Sequence, residues 1–204
     1  MAGVAAAFSR AAAGGSGRCA GWEDHMIQDA QLETARLFVR PFEDEDVDAL
    51  VDLFADPDVR RYVDDGRALS RADAALWVRN SRRNLRLHGY GTGAVVERPS
   101  GRLIGWAGMA RPDEGGEELI YGLARPFWNR GLGRELLAAL VDFATERGID
   151  PLRATVHPDN KASIALLERQ GFRRRSRAEA ADANDLLFER QADPSASMVA
   201  APSR

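Results

Sequence analysis

The stretch from Glu118 to Leu137 restricts the fold of this chain more than any other. Leu119 to Ala124 is an apolar run of the kind that forms a buried strand. Pro126 stops any ladder there, because proline has no N–H to donate. The turn Arg130-Gly131-Leu132-Gly133-Arg134 follows. An amphipathic helix begins within it, with Leu136, Leu137, Leu140, Val141 and Ala144 on its inner face and Gly148 as its stop. Strand, glycine turn and helix N-terminus in that order can cradle a phosphate. Glycine lets the backbone approach an oxyanion closely, and the N–H groups of the first turn point at it with about half a positive charge behind them. A plain turn would use the same residues.

Two named phosphate loops fail against this sequence. The three-glycine dinucleotide fingerprint needs a glycine at position 136, which is Leu136, and no acidic residue follows at a strand end at the required distance. The Walker-type loop needs Gly-Lys-Ser/Thr, which is absent.

A second constellation lies downstream. Leu152 to Val156 reads as a short strand and His157-Pro158 as a turn. A helix then starts behind Asp159 or Asn160 and stops at Gly171. The glycine turn, Asn160-x-x-Ser163 and Leu167-Glu168-Arg169-x-Gly171-Phe172, in this order, resemble the GNAT family of acetyl-CoA-dependent N-acetyltransferases. Glu118 to Ala124 and Phe127 to Gly131 are similar to the branch that acetylates the N-termini of ribosomal proteins. Leu32 to Pro41, with Arg36 and Arg40, is similar to that branch's first strand. The resemblance covers about residues 30 to 191.

The resemblance implies an α/β (α+β) fold: a mixed, mostly antiparallel sheet of about seven strands with helices on both faces. Two strands splay apart, and acetyl-CoA enters between them as acetyl donor. Backbone groups near Leu123 and Ala124 would pair with the pantetheine arm. N–H groups from Arg130, Gly131, Leu132, Gly133 and Arg134 would hold the pyrophosphate. Arg125, Arg130 and Arg134 would screen its charge, although each also reads as an exposed helix-flank charge. Asn160 would bond the pantetheine or cap its own helix, and Ser163 would reach the thioester sulfur or pack as a small hydroxyl. Many members have Gln or Arg at the position of Trp128; the ribosomal-protein branch tends to have Trp.

The proton chemistry divides into a base and an acid. Glu118 stands where this branch has its glutamate, so it is the expected base; a solvated strand-end charge is the alternative. Glu117 and Tyr121 fall on the opposite strand face. Many members have a Tyr acid where this chain has Leu167, which cannot donate a proton. Ser163, another hydroxyl or water would then serve. That leucine also keeps open a non-catalytic acyl-CoA-binding sensor or subunit, and the glycine turn keeps open a nucleotide-binding α/β protein. The histidines, His25, His88 and His157, show no metal spacing, so no metal is expected.

Composition fits one soluble domain of 204 residues, 45% hydrophobic and 29% charged. A net charge of −3 gives no electrostatic support for a nucleic-acid role. No apolar run is long enough to span a bilayer. Residues 1–29 are an Ala/Gly-rich tail containing the lone Cys19, and Met26 is a candidate start. Ala5 to Phe8 is too short, and has no basic residue before it, for a secretory signal, so a cytoplasmic location is expected. The domain is read as residues 30–191 and a second tail as 192–204. The acceptor is a small-molecule amine or a peptide or protein N-terminus; monomer and homodimer are both compatible.

The remaining elements follow from pattern. Residues 34–40 read as the first strand, and Glu43 or Asp44 as cap of a helix with Val47, Leu50, Val51 and Phe54 inward. Ser70 and Asp73 form a variant capping box for a helix with Leu76, Trp77, Leu85 and Leu87 as core contacts and Gly89 as its stop. A hairpin turns at Arg98 to Gly101, Pro112 to Gly116 connect to the central strand, and 172–177 with 185–189 close the sheet as an antiparallel pair.

Overall fold

The computed structural model describes residues 31–111, 117–175 and 185–191. The two tails with Cys19 and Met26, the connection from Pro112 to Gly116, and residues 176 and 177 of the last hairpin lie outside the described residues.

The elements are β1 (Leu32–Glu33), β2 (Leu37–Pro41), α1 (Asp46–Ala55), α2 (Pro57–Arg60), α3 (Arg71–His88), β3 (Thr92–Glu97), β4 (Arg102–Ala110), β5 (Glu118–Leu123), α4 (Leu132–Glu146), β6 (Leu152–Val156), α5 (Lys161–Arg169), β7 (Arg173–Arg174) and β8 (Leu186–Arg190). They form one eight-stranded sheet in the order β1-β2-β3-β4-β5-β6-β8-β7. Every neighbouring pair is antiparallel except β5 and β6. The expected first strand is two: Thr34 bends the chain by accepting the Leu37 N–H on Oγ1 at 2.9 Å, so β1 folds back on β2.

Two apolar clusters lie on opposite faces of the sheet. Leu119, Tyr121 and Leu123 of β5 join Leu136, Leu137, Leu140, Val141 and Ala144 of α4 and Leu167 of α5. Ile120, Trp106 of β4, and Leu50, Phe54 and Trp77 of α1 and α3 form the other. The alternation along β5 is that of a strand buried on both sides.

The local signals act as read at several helix ends. Ser70 Oγ accepts the Asp73 N–H at 3.1 Å and donates to its carboxylate at 2.6 Å, closing the cap of α3. Gly89 ends α3 at φ 76°, where glycine is nearly free of penalty. Leu87 departs from expectation: it is 62% exposed, because the inward stripe of α3 runs through Ala74, Trp77, Val78 and Ser81. The N-cap of α1 is Glu45, without a side-chain cap bond. Asp46 instead accepts both terminal nitrogens of Arg40, at 2.7 and 2.8 Å, and so ties α1 to β2.

Among the described residues no helix is long and apolar enough to cross a membrane, and no group of His, Cys, Asp and Glu could hold a metal ion.

Candidate active site

A gap opens in the sheet because the one parallel ladder is cut short. β5 and β6 pair at Glu118 and Arg153. Farther on, the Thr155 N–H turns to β5 but donates to the Glu118 carboxylate at 2.7 Å, and the Thr155 hydroxyl bonds the same oxygen. A side chain thus replaces the strand backbone as partner, and the strands part beyond it.

The edge of β5 facing this gap is set by its pairing with β4. The Ala124 N–H bonds the Ile104 carbonyl of β4 at 2.7 Å. Backbone direction alternates along an antiparallel strand, so the groups of Tyr121 and Leu123 face the gap. The Trp128 indole N–H donates to the Leu123 carbonyl at 2.7 Å. Trp128 therefore ties the turn to the gap edge, beyond the packing role expected of it. This is the stretch expected to meet the pantetheine arm.

At the end of the gap, Asn129 has φ 57° and Gly131 φ 76°. Left-handed residues in a tight turn aim successive N–H groups into a concave anion-binding nest. Gly131 is the N-cap of α4 and supplies no side-chain cap, which leaves the first-turn N–H groups directed outward. Gly133 differs: a Cβ built there meets only Leu166 Cδ1, at 3.5 Å, an ordinary contact.

The turn is braced from the bend between β1 and β2. Glu135, in the first turn of α4, accepts the Thr34 hydroxyl at 2.6 Å, the Arg36 N–H at 2.9 Å and Arg36 Nε at 2.7 Å. Arg36 also donates to the Arg130 carbonyl at 2.9 Å. Burial pushes the Glu135 carboxyl up, but the bonds from Thr34 and Arg36 outweigh it and hold it below the usual range.

The three expected arginines separate. Arg130 lies over the Phe127 ring and 3.9 Å from Glu97. Arg134 is exposed on α4. Arg125 pairs with Asp58 of α2 at 2.9 Å, toward the other side of the sheet.

Across the gap, Asn160 is the N-cap of α5, its Oδ1 accepting the Ser163 N–H at 3.3 Å. Ser163 is wholly buried, and its hydroxyl meets no protein partner. Leu167, where the resemblance would place a Tyr, is wholly buried in the core.

The opposite face, under α1 to α3, holds Glu118, Thr155 and His157. Burial raises the Glu118 carboxyl; the Thr155 bonds oppose that, and Asp185, just before β8, adds to it. Its charged form is disfavoured, so it is poised to take a proton closer to neutrality than a solvated glutamate. His157 stacks on Tyr62 with ring centroids 5.2 Å apart. The floor is aromatic: a Cβ at Gly122 would lie 2.2 Å from the Trp106 indole, so only glycine lets that ring cross β5.

The sequence reading missed Asn129, the Thr34–Arg36–Glu135 brace, Thr155, Tyr62 and Asp185. Asn129 carried a usable signal, since asparagine is among the few residues that tolerate the left-handed region. Glu135 and Arg36 are too far apart in the chain for any local pattern to pair them.

A left-handed turn at the end of a strand gap, leading into a helix start with no side-chain cap, is a geometry that can cradle a phosphate. Residues 36–173 match the acetyltransferase (GNAT) domain, and the chain belongs to that family, as an N-acetyltransferase. An uncharacterized N-acetyltransferase, p20, of Bacillus licheniformis is 30% identical over 70% of this chain and 82% of its own. The solved acetyltransferase of Agrobacterium tumefaciens superposes with a TM-score of 0.70 at 26% identity, over 79% of this chain and 94% of that one. RimL, a ribosomal L7/L12 alpha-N-protein acetyltransferase solved in complex with coenzyme A, shares the fold with a TM-score of 0.63 at 20% identity, over 78% and 95%.

Proposed function

We propose that the chain binds acetyl-CoA in the β5–β6 gap and passes the acetyl group to a primary amine by direct attack in a ternary complex. The acceptor we favour is a protein N-terminal α-amine. The observation that carries this reading is the parting of β5 and β6 beside an uncapped, glycine-led helix start. In this reading the diphosphate sits on the nest at Asn129 to Arg134, and the arm runs along Tyr121 and Leu123. Ser163 meets the sulfur, and a β5 backbone N–H polarises the carbonyl.

The amine must be neutral to attack. Deprotonating an α-amine of pKa about 8 at pH 7 costs about 1.4 kcal/mol, against about 4.6 kcal/mol for a lysine amine near 10.4. One buried carboxylate, Glu118, suits the smaller cost. It would take the proton directly or through a water while Oε1 stays on Thr155. RimL, whose name states an α-amine acceptor, shares the fold and supports the same choice.

The test mixes purified protein with acetyl-CoA and an acceptor panel, following free thiol. The panel holds peptides with free N-termini, N-blocked peptides with one lysine, polyamines and aminoglycosides. Release is expected with free N-termini and at least tenfold slower with blocked lysine peptides. Preference for lysine, a polyamine or an aminoglycoside would overturn the acceptor. No thiol from any acceptor would count against the transfer reading.

A further inference from the structure

Two buried hydroxyls share the α5 side of the gap with no partner in reach but each other. Tyr121 is 2% exposed and Ser163 0% exposed, and neither side-chain oxygen has a hydrogen-bond partner. Orphaned buried hydroxyls are uncommon and costly, so a pair in one place needs a reason. Tyr121 stands on β5 beyond its last residue paired with β6, on the face turned to α4 and α5. Ser163 stands in the first turn of α5, just past the end of β6. The Ser163 hydroxyl lies close enough to lower the phenol's pKa as a hydrogen-bonding neighbour, although the two oxygens fall short of good hydrogen-bond geometry.

We propose that Tyr121 is a positioning residue for the departing thiolate: its phenol donates to Ser163 Oγ, which turns the Ser163 hydrogen toward the sulfur of the bound thioester. This rests on the acetyl-CoA reading above. The amine nitrogen bonds the carbonyl carbon, and the C–S bond breaks with its electron pair on sulfur. Glu118 passes the ammonium proton to solvent before attack and takes the proton that nitrogen loses once it has bonded carbon. The thiolate is held by the Ser163 O–H, itself polarised by Tyr121, until solvent protonates it. No covalent enzyme intermediate forms.

Magnitudes separate this role from that of an acid. Burial raises the phenol to about 12, partly opposed by Ser163. Protonating a thiolate whose acid has a pKa near 8.5 would then run uphill by on the order of a thousandfold. The phenol keeps its proton throughout and acts as a fixed donor. Two oxygens in line can do what a single Tyr at position 167 does elsewhere in the resemblance, without releasing a proton.

The experiment titrates coenzyme A bound to the protein, reading thiolate by its ultraviolet absorbance, in the unchanged protein, Tyr121→Phe and Ser163→Ala. Bound thiol is expected about one unit lower in the unchanged protein than in Ser163→Ala, tenfold in the thiolate ratio at fixed pH, with Tyr121→Phe between. Tyr121→Phe should also lower kcat about tenfold, leave KM for acetyl-CoA within twofold, and keep or raise the melting temperature without ligand, since it removes an unpartnered hydroxyl. Equal thiol titration in all three proteins, with coenzyme A bound, would overturn the proposal and leave the binding reading intact. A Tyr121→Phe variant that melts several degrees lower or fails to fold would overturn it too, by showing that the hydroxyl is structural. Absence of coenzyme A binding to the unchanged protein would overturn the proposal together with the reading on which it rests.

Discussion

The two faces of the gap are built from different materials. On the α4 and α5 face, the geometry is mostly main chain: the gap edge at Tyr121 and Leu123, left-handed Asn129 and Gly131, and an uncapped helix start. On the α1 to α3 face it is mostly side chains brought from distant segments: Glu118 on Thr155, Tyr62 on His157, Trp106 across Gly122. A main-chain site needs particular backbone angles and tolerates many residues. A side-chain site needs particular residues and can be retuned one at a time. In the proposed function, donor recognition would therefore follow from the fold, whereas acceptor choice and proton transfer would rest on individual side chains.

Glu118→Gln breaks the comparison at its sharpest point. Glutamine keeps the Oε1 acceptor for Thr155 and removes the proposed base. We expect kcat to fall about 10²- to 10³-fold, with KM for acetyl-CoA little changed, in steady-state assays. The melting temperature gives the second half. The Glu118 pKa is raised in the folded protein, so protonation stabilises the native state. Stability is lost as pH rises from the ordinary glutamate range through the raised folded value. Glu118→Gln should therefore flatten that slope and melt no lower than the parent at neutral pH. A large drop there would make Glu118 chiefly a strut for the parted strands.

The brace sharpens the other face. Arg36→Ala or Glu135→Gln should raise KM for acetyl-CoA several-fold while kcat stays within about twofold, because the brace holds the turn without touching the reacting atoms. Glu135 is held below its usual pKa, so its contribution is complete above the ordinary glutamate range and is lost as pH falls through the depressed folded value. Acetyl-CoA affinity measured down a pH series should weaken in that window in the parent, and less so in Glu135→Gln. A kcat effect as large as the KM effect would contradict the brace.

The smallest effect is expected at Arg125. Its pair with Asp58 is largely exposed. Arg125→Ala should shift unfolding free energy in denaturant by no more than about 1 kcal/mol and change acetyl-CoA KM less than Arg36→Ala does. A larger KM change would support the expected role of Arg125 in screening the cofactor's charge.

What the sequence showed follows the same division. The α4 stripe from Leu136 to Ala144, the Ser70 cap, the Gly89 stop and the glycine turn are local patterns that the backbone obeys wherever they occur. The fold-back at Thr34 escaped notice because a two-residue strand has no periodicity. Leu87 was misplaced because an isolated leucine near a helix end satisfies the spacing without a surface to cover it. Thr155, Tyr62 and Asp185 carry no local signal; they matter only because folding places them beside Glu118 and His157.

Calorimetric titration of acetyl-CoA into the parent and Gly133→Ala tests the central claim most directly. Gly133 does not need a left-handed φ, and the added methyl would meet only Leu166 at ordinary contact distance. The unliganded fold should therefore be unaffected, and any loss would come from obstruction of the main-chain cradle. We expect clear heat and saturation with the parent and at least tenfold weaker binding with Gly133→Ala at an unchanged melting temperature. Equal affinity in the two proteins, or no heat with the folded parent, would contradict the placement of the diphosphate on this turn.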